Sequence, residues 1–163
     1  MNPPSHYHNK AVKTKAFVLG CDPTTFKNDI RLNFDYVFGI KKDKRYFAGI
    51  NTNLRSPGLD IESVYVQNLI TAYQDFVTTD HPNWKEEALK YIKARKEEFD
   101  TIDKSGTLPV FLTSELLYKV LLNDGEIPMK PTELYNSEND FFIPANKNKL
   151  SRPLVPLYRL HAY

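Results

Sequence analysis

Residues 16–20 read AFVLG and residues 21–25 continue as CDPTT. Four apolar residues that stop at a glycine predict a short buried strand. Asp22-Pro23 predicts a turn directly after it, because the residue before a proline avoids helical conformation. Three further runs predict strands: residues 64–69 (VYVQNL), 108–112 (LPVFL) and 140–143 (DFFI).

Helical patterns separate these strands. Asp43, Asn83 and Thr113 each precede apolar residues at helical spacing, and Asn83 with Glu86 resembles a capping box. Alternating strands and helices with short, continuously apolar strands predict an α/β fold. We expect a three-layer α/β/α domain with a mostly parallel central sheet of about four strands, over residues 16–163. Residues 1–15 are expected to form an N-terminal arm, loose over its first ten residues, and residues 144–163 an ordered loop.

The composition limits the class of protein. The chain has 163 residues, 41% of them hydrophobic and 26% charged, which is typical of one globular domain. No run of about 18 apolar residues predicts a membrane span, and the N-terminus lacks the apolar segment of a signal peptide. Cys21 is the single cysteine, so it forms no internal disulfide and by itself supplies no structural zinc or iron–sulfur site. We therefore expect a cytoplasmic or nucleoid-associated monomer without metal or cofactor.

The net charge of +2 is unevenly distributed along the chain. Residues 1–75 carry +3, residues 76–140 carry −5 and residues 141–163 carry +4. If the basic segments 1–75 and 141–163 meet at one face, that face would bind a polyanion. If their charges are spread over the molecule, they form an ordinary solvated surface.

Functional groups in parallel α/β folds lie beyond the carboxyl ends of the strands. Gly20, Cys21 and Asp22 follow the first strand, and Asp22 offers a carboxylate that orients water or simply completes a turn. Phe38, before a glycine, is a candidate for stacking on a flat ligand or a core residue. Asn68 ends the 64–69 strand, where its carboxamide reads a pyrimidine edge or bonds its own backbone.

The tail carries a second group of candidates. Residues 146–154 (NKNKLSRPL) combine three cations with amides, a hydroxyl and apolar residues, which suits phosphate binding and a wedge that displaces a base. A basic surface loop is the alternative. The candidate DNA-binding residues are Lys147, Asn148, Lys149, Leu150, Ser151 and Arg152.

Other residues give weaker signals. His6 and His8 are potential ligands of one metal ion, but they lie in the expected arm. His81 precedes Pro82 in a predicted loop. Motifs for nucleoside triphosphates, dinucleotides, serine hydrolases and zinc proteases are absent from the sequence.

Taken in order, these segments resemble the uracil-DNA glycosylase superfamily. GCDPT resembles the family's water-activating loop, VFGI its stacking aromatic, VYVQNL its base-reading asparagine and NKLSRPLVPL its DNA-intercalation loop. The resemblance implies that Asp22 orients water, that Cys21, Phe38 and Asn68 bind the base, and that the tail residues bind DNA.

Two departures from the family pattern affect the expected chemistry. The family's histidine that stabilises the departing base is missing from the tail, so Asn148, Arg152 or His161 would have to replace it. Thr24 stands where classical members carry a tyrosine that excludes thymine, which implies a less selective pocket.

The resemblance implies a monofunctional glycosylase that removes uracil or a related damaged base from DNA. A catalytically silent nucleic-acid or nucleotide-binding module on the same fold is the alternative. A hydrolase of free nucleosides is a third.

Overall fold

A computed structural model of the chain describes residues 2–23, 26–27, 30–31, 33–42, 44–55, 57–127, 130, 133 and 141–157. The main sheet contains β1 (Ala16–Gly20), β4 (Val64–Asn68), β5 (Val110–Leu112) and β6 (Leu154–Pro156). A separate antiparallel pair joins β2 (Phe26–Lys27) to β3 (Ile30–Arg31). The helices are α1 (Lys44–Leu54), α2 (Trp84–Leu89), α3 (Ile92–Ile102) and α4 (Glu115–Leu121).

The main sheet is entirely parallel, with the order β4-β1-β5-β6. This confirms the α/β class and the expected number of strands. All strands therefore begin at one edge of the sheet, the amino edge, and end at the other, the carboxyl edge. β1 lies in the interior of the sheet and is fully buried, which explains its continuous apolar sequence.

Alternate residues of β1 contribute to two apolar clusters. Phe17 and Leu19 pack with side chains of α2, α3 and α4. Ala16 and Val18 pack with side chains of α1 and of the 3₁₀ turn Val37–Gly39. Because successive side chains of a strand point to opposite faces, helices cover both faces of the sheet.

Several local expectations were wrong. Leu154–Pro156 forms the last strand, within the segment expected to be a loop, whereas Ile143 only makes an antiparallel bridge to Leu154. Asn83 makes no side-chain cap, and the predicted single helix is divided into α2 and α3. Ser114 rather than Thr113 caps α4. Asp43 lies outside the described residues.

The N-terminal segment is not loose. Tyr7 and Val66 exchange two backbone hydrogen bonds of 2.9 Å, in an antiparallel bridge along the outer edge of β4. Ser5 forms a parallel bridge with Tyr36, through backbone hydrogen bonds of 2.9 Å to Asp35 O and from Val37 N. The arm thus covers a strand edge that would otherwise expose unpaired backbone groups.

Candidate functional site

The ends of β1 and β4 bring two predicted site residues together. Gly20 and Asn68 are direct neighbours in the register. A Cβ atom placed on Gly20 would lie 2.5 Å from Asn68 Oδ1 and 2.5 Å from Phe38 Cζ. The Phe38 ring and the Asn68 carboxamide therefore meet above Gly20, and this close approach requires a residue without a side chain.

The backbone at Phe38 is unusual. Phe38 has φ 57° and ψ 18°, and Gly39 follows with φ 65°. A bulky residue in the left-handed region costs on the order of 1–3 kcal/mol, and such residues cluster at functional sites. The strain places the half-buried Phe38 ring beside Asn68.

Asn68 presents a nearly buried carboxamide, since only 4% of the residue is exposed. Its backbone N–H donates to Gln67 Oε1 at 3.0 Å. Among the described residues, none forms a hydrogen bond with the Asn68 side chain. One acceptor and two donors thus remain for a planar polar ligand that lies against the Phe38 ring.

Asp22 lies at the same edge, two residues beyond Gly20. Its Oδ2 accepts hydrogen bonds from Thr78 Oγ1 and from Trp84 Nε1, each at 2.8 Å. Thr78 belongs to the connection between β4 and α2, which folds back across the end of β1, and Trp84 is the first residue of α2. They fix the orientation of the carboxylate, and the sequence analysis identified neither of them.

Cys21 is half-buried, and its side chain packs against the apolar cluster that involves α2, α3 and α4. Its carbonyl accepts the backbone N–H of Ile70 at 3.0 Å. A contact between Cys21 and a base remains a prediction. Thr24, which follows in the same loop, lies outside the described residues.

The connection that holds Asp22 also carries Gln74, Phe76 and His81. His81 Nδ1 accepts the Asn83 N–H at 3.1 Å, and Nε2 lies 3.1 Å from Gln74 Oε1. This pattern fits the neutral tautomer with the proton on Nε2, so both ring nitrogens of His81 are occupied. Phe76 packs edge-on against His81 and is 48% exposed, which makes it a large apolar group at the surface near the site.

The tail residues lie at the opposite edge of the sheet. They precede β6, whose first residue pairs with the start of β5 at the amino edge. Asn148 bridges to Leu122, and Lys149 N donates to Leu121 O at the end of α4. Lys147, Lys149 and Ser151 are exposed, but at this edge they are remote from Asp22, Phe38 and Asn68.

Arg152 is an interior residue, contrary to its predicted role in DNA binding. It is 1% exposed and pairs with Asp103 at 2.7 Å and Asp100 at 2.9 Å. Its guanidinium also lies 5.0 Å from the centre of the Phe17 ring. Burial by itself would raise the pKa of Asp103, but hydrogen bonds from Ser105, Arg152 and Leu108 N, with the charge of Arg152, hold it well below its ordinary value.

Leu150 and Asn148 are structural as well. Leu150 is 1% exposed and belongs to an apolar cluster, so it is not a surface wedge. The buried Asn148 carboxamide donates to Pro144 O and Arg152 O and accepts from Leu150 N. Asn148 and Arg152 are therefore not substitutes for the missing family histidine. His161 lies outside the described residues.

Comparison of the chain with protein-family models, with curated protein sequences and with solved structures finds no match. Within the described ranges, no helix is long and apolar enough to cross a membrane. Across the same residues, no group of three or more His, Cys, Asp or Glu side chains has the arrangement of a metal site.

Proposed function

We propose that the protein is a glycosylase-type hydrolase of the uracil-DNA glycosylase-like fold, acting on uracil or a related damaged base in DNA. One observation carries the proposal: Phe38 and Asn68, thirty residues apart in the sequence, meet above Gly20, with Asp22 at the same strand end. A flat base stacked on Phe38 would present its polar edge to the Asn68 carboxamide.

The proposed reaction breaks the bond between C1′ of the sugar and the base nitrogen. The bonding electron pair leaves with the base, and positive charge develops on the sugar. The oxygen of a water molecule then bonds to C1′, and Asp22 accepts the proton that this water loses. The negative carboxylate also stabilises the positively charged sugar, and the Asn68 N–H donors stabilise the departing anion.

The contacts of Asp22 fit this role. Thr78 and Trp84 both donate to Oδ2, which holds the carboxylate in one orientation. Pre-oriented groups catalyse well because little reorganisation is needed during the reaction. The half-exposed Phe76 on the same connection is the candidate for the wedge that replaces a flipped base, a role that the burial of Leu150 excludes for that residue.

The decisive experiment is a base-release assay with oligonucleotides that carry uracil, hypoxanthine or oxidised pyrimidines. The variant Asp22→Asn is compared with wild type, because an amide oxygen still accepts the bonds from Thr78 and Trp84. We expect release by wild type and a loss on the order of 10²-fold or more in the variant, the typical contribution of a positioned acid–base group. Asp124→Asn, in an exposed turn after α4, is the matched control.

The assay also tests His161, the remaining candidate donor to the departing base. His161→Ala should reduce release by roughly 10²–10³-fold if this residue supplies the anion stabilisation. Unchanged release would assign the stabilisation to the Asn68 carboxamide and the rest of the site.

The second candidate function is a silent nucleic-acid or nucleotide-binding module. It is favoured by the position of Asp22, whose Oδ2 ties the β4–α2 connection to the end of β1 and thus has a structural use. This function predicts salt-dependent binding without base release. Release from free nucleosides but not from oligonucleotides would instead favour the third alternative.

A further inference from the structure

A polar groove runs beside the N-terminal arm. Its volume is about 460 Å³, within the ordinary range for ligand sites. The arm, the segment after β3 and the 3₁₀ turn Ile61–Ser63 before β4 surround it. Its described lining consists of Ser5, His6, Tyr7, His8, Asn9, Lys10, Tyr36, Lys41 and Glu62.

The charge of the groove is positive. Lys10 and Lys41 are exposed, and Lys41 Nζ lies 5.4 Å from the centre of the Tyr7 ring. Among the lining residues that the structure describes, Glu62 alone is acidic. Its two carboxylate oxygens accept hydrogen bonds from Tyr7 OH at 2.9 Å and Asn9 Nδ2 at 2.6 Å. The acid thus holds the arm in place, and the lysine ammonium groups remain for an anion.

One end of the groove lies toward the candidate base site. The arm runs antiparallel to β4 with Tyr7 opposite Val66, so Ser5 lies toward the carboxyl edge. Ser5 also pairs with Tyr36, two residues before Phe38. A strand whose base stacks on Phe38 would therefore meet the Ser5 end of the groove, with Asn9 and Lys10 farther along it toward the amino edge.

We propose that this groove binds the phosphate backbone of a single-stranded nucleic acid, with Lys10 and Lys41 as the phosphate ligands. The inference rests on the proposed function for the position of the flipped base. Aromatic side chains between cations are typical of surfaces that bind single strands, and the half-buried Tyr36 supplies one here. The groove takes over the phosphate-binding role that the sequence analysis assigned to the tail.

The test is the affinity of a uracil-containing single-stranded oligonucleotide, measured by fluorescence anisotropy at three salt concentrations. All proteins carry Asp22→Asn, so that binding is measured without turnover. Lys10→Glu with Lys41→Glu is compared with Lys93→Glu with Lys104→Glu, two exposed lysines at the beginning and beyond the end of α3. Both double variants change the net charge equally.

We expect the groove variant to bind on the order of tenfold more weakly. Its slope of log affinity against log salt should fall by about 1.4, since each phosphate contact with a single strand contributes about 0.7. The control variant, with Lys93→Glu and Lys104→Glu, should retain the wild-type slope. Equal slopes in the two variants, or an unchanged slope in the groove variant, would overturn the proposal.

Lysine acetylation of the wild-type protein supplies a second readout that needs no variant. The oligonucleotide should protect Lys10 and Lys41 but not Lys93, whereas inorganic phosphate at the same concentration should protect none of them. Protection by a duplex but not by a single strand would contradict the proposal. Binding that depends on Lys10 and Lys41, without base release, would support the proposal that the groove binds nucleic acid. The same result would contradict the proposed glycosylase function.

Discussion

At the scale of single residues, the candidate site depends on Gly20, because a glycine has no side chain to fill the space above it. Gly20 leaves room for Phe38 and Asn68 to meet, and Phe38 adopts a left-handed backbone that places its ring there. The strand-end rule indicated Gly20 and Asn68 from the sequence, whereas Phe38 was a candidate because it precedes a glycine and matches the family's stacking aromatic. Thr78 and Trp84 were not predictable in this way, because they contact Asp22 from 56 and 62 residues further along the chain.

Gly20→Ala should abolish ligand binding while it reduces the stability of the fold only slightly. The new methyl group would collide with the outer atoms of Phe38 and Asn68, which are able to move, so the free energy of unfolding should fall by about 1–2 kcal/mol. Ligand binding and base release should be lost, because the ring and the carboxamide no longer converge. Chemical denaturation and the base-release assay measure the two effects.

Gly106→Ala is the matched control for this substitution. Gly106 has φ 72° and nothing within 4 Å of an added Cβ, so the change introduces backbone strain remote from the site. It should reduce stability and leave ligand binding intact. Normal binding by Gly20→Ala would show that the ligand site lies elsewhere.

At the scale of elements, the tail shows why the sequence analysis misassigned a surface. Residues 144–163 contain three prolines and no period, which indicated a loop, but three of these residues form β6. Once β6 is in the sheet, the residues before it must lie at the amino edge. Arg152 then meets the end of α3, and a cation that the sequence pattern assigned to phosphate binds Asp100 and Asp103 instead.

The buried ion pair predicts a loss of stability in acid. Because the folded-state pKa of Asp103 is below its ordinary value of about 4, its contribution is complete above that value and is lost as pH falls further. Asp103→Asn should lower the free energy of unfolding at pH 7 by about 1–3 kcal/mol and flatten its decline below pH 4. Urea denaturation between pH 3 and 7 measures both, and an identical pH profile in the variant would contradict this role.

The arm predicts a second pH dependence, at higher pH. Burial, followed by repulsion from His6 and Lys10, lowers the pKa of His8 in the docked arm. The detached arm therefore binds a proton more readily, so docking is strongest above about pH 6.5 and weakens as pH falls below it. Hydrogen exchange at the Tyr7 and Val66 amides, corrected for intrinsic rates, should quicken between pH 7 and 5.

His8→Gln tests the origin of this effect. Glutamine does not titrate, so the exchange of the two amides should lose most of its dependence on pH. Equal pH dependence in the variant and the wild-type protein would assign the effect to another group.

At the scale of the whole molecule, the parallel sheet separates two basic regions by its width. The groove lies along the arm beside β4, at one side of the sheet, whereas Lys147 precedes β6, at the other side. Three interstrand spacings separate β4 from β6, which is roughly 14 Å at about 4.8 Å for each spacing. Exposed charges at this separation are largely screened at 0.15 M salt, where the Debye length is about 8 Å.

Lys147→Glu should therefore change the affinity for a single-stranded oligonucleotide by less than about twofold at 0.15 M salt, with an unchanged salt slope. Lys41→Glu, with the same change in net charge, should weaken binding several-fold and reduce the slope by about 0.7. Anisotropy titrations of the two single variants make the comparison. A larger loss in Lys147→Glu would mean that the nucleic acid crosses the amino edge, because overall charge alone affects both variants equally.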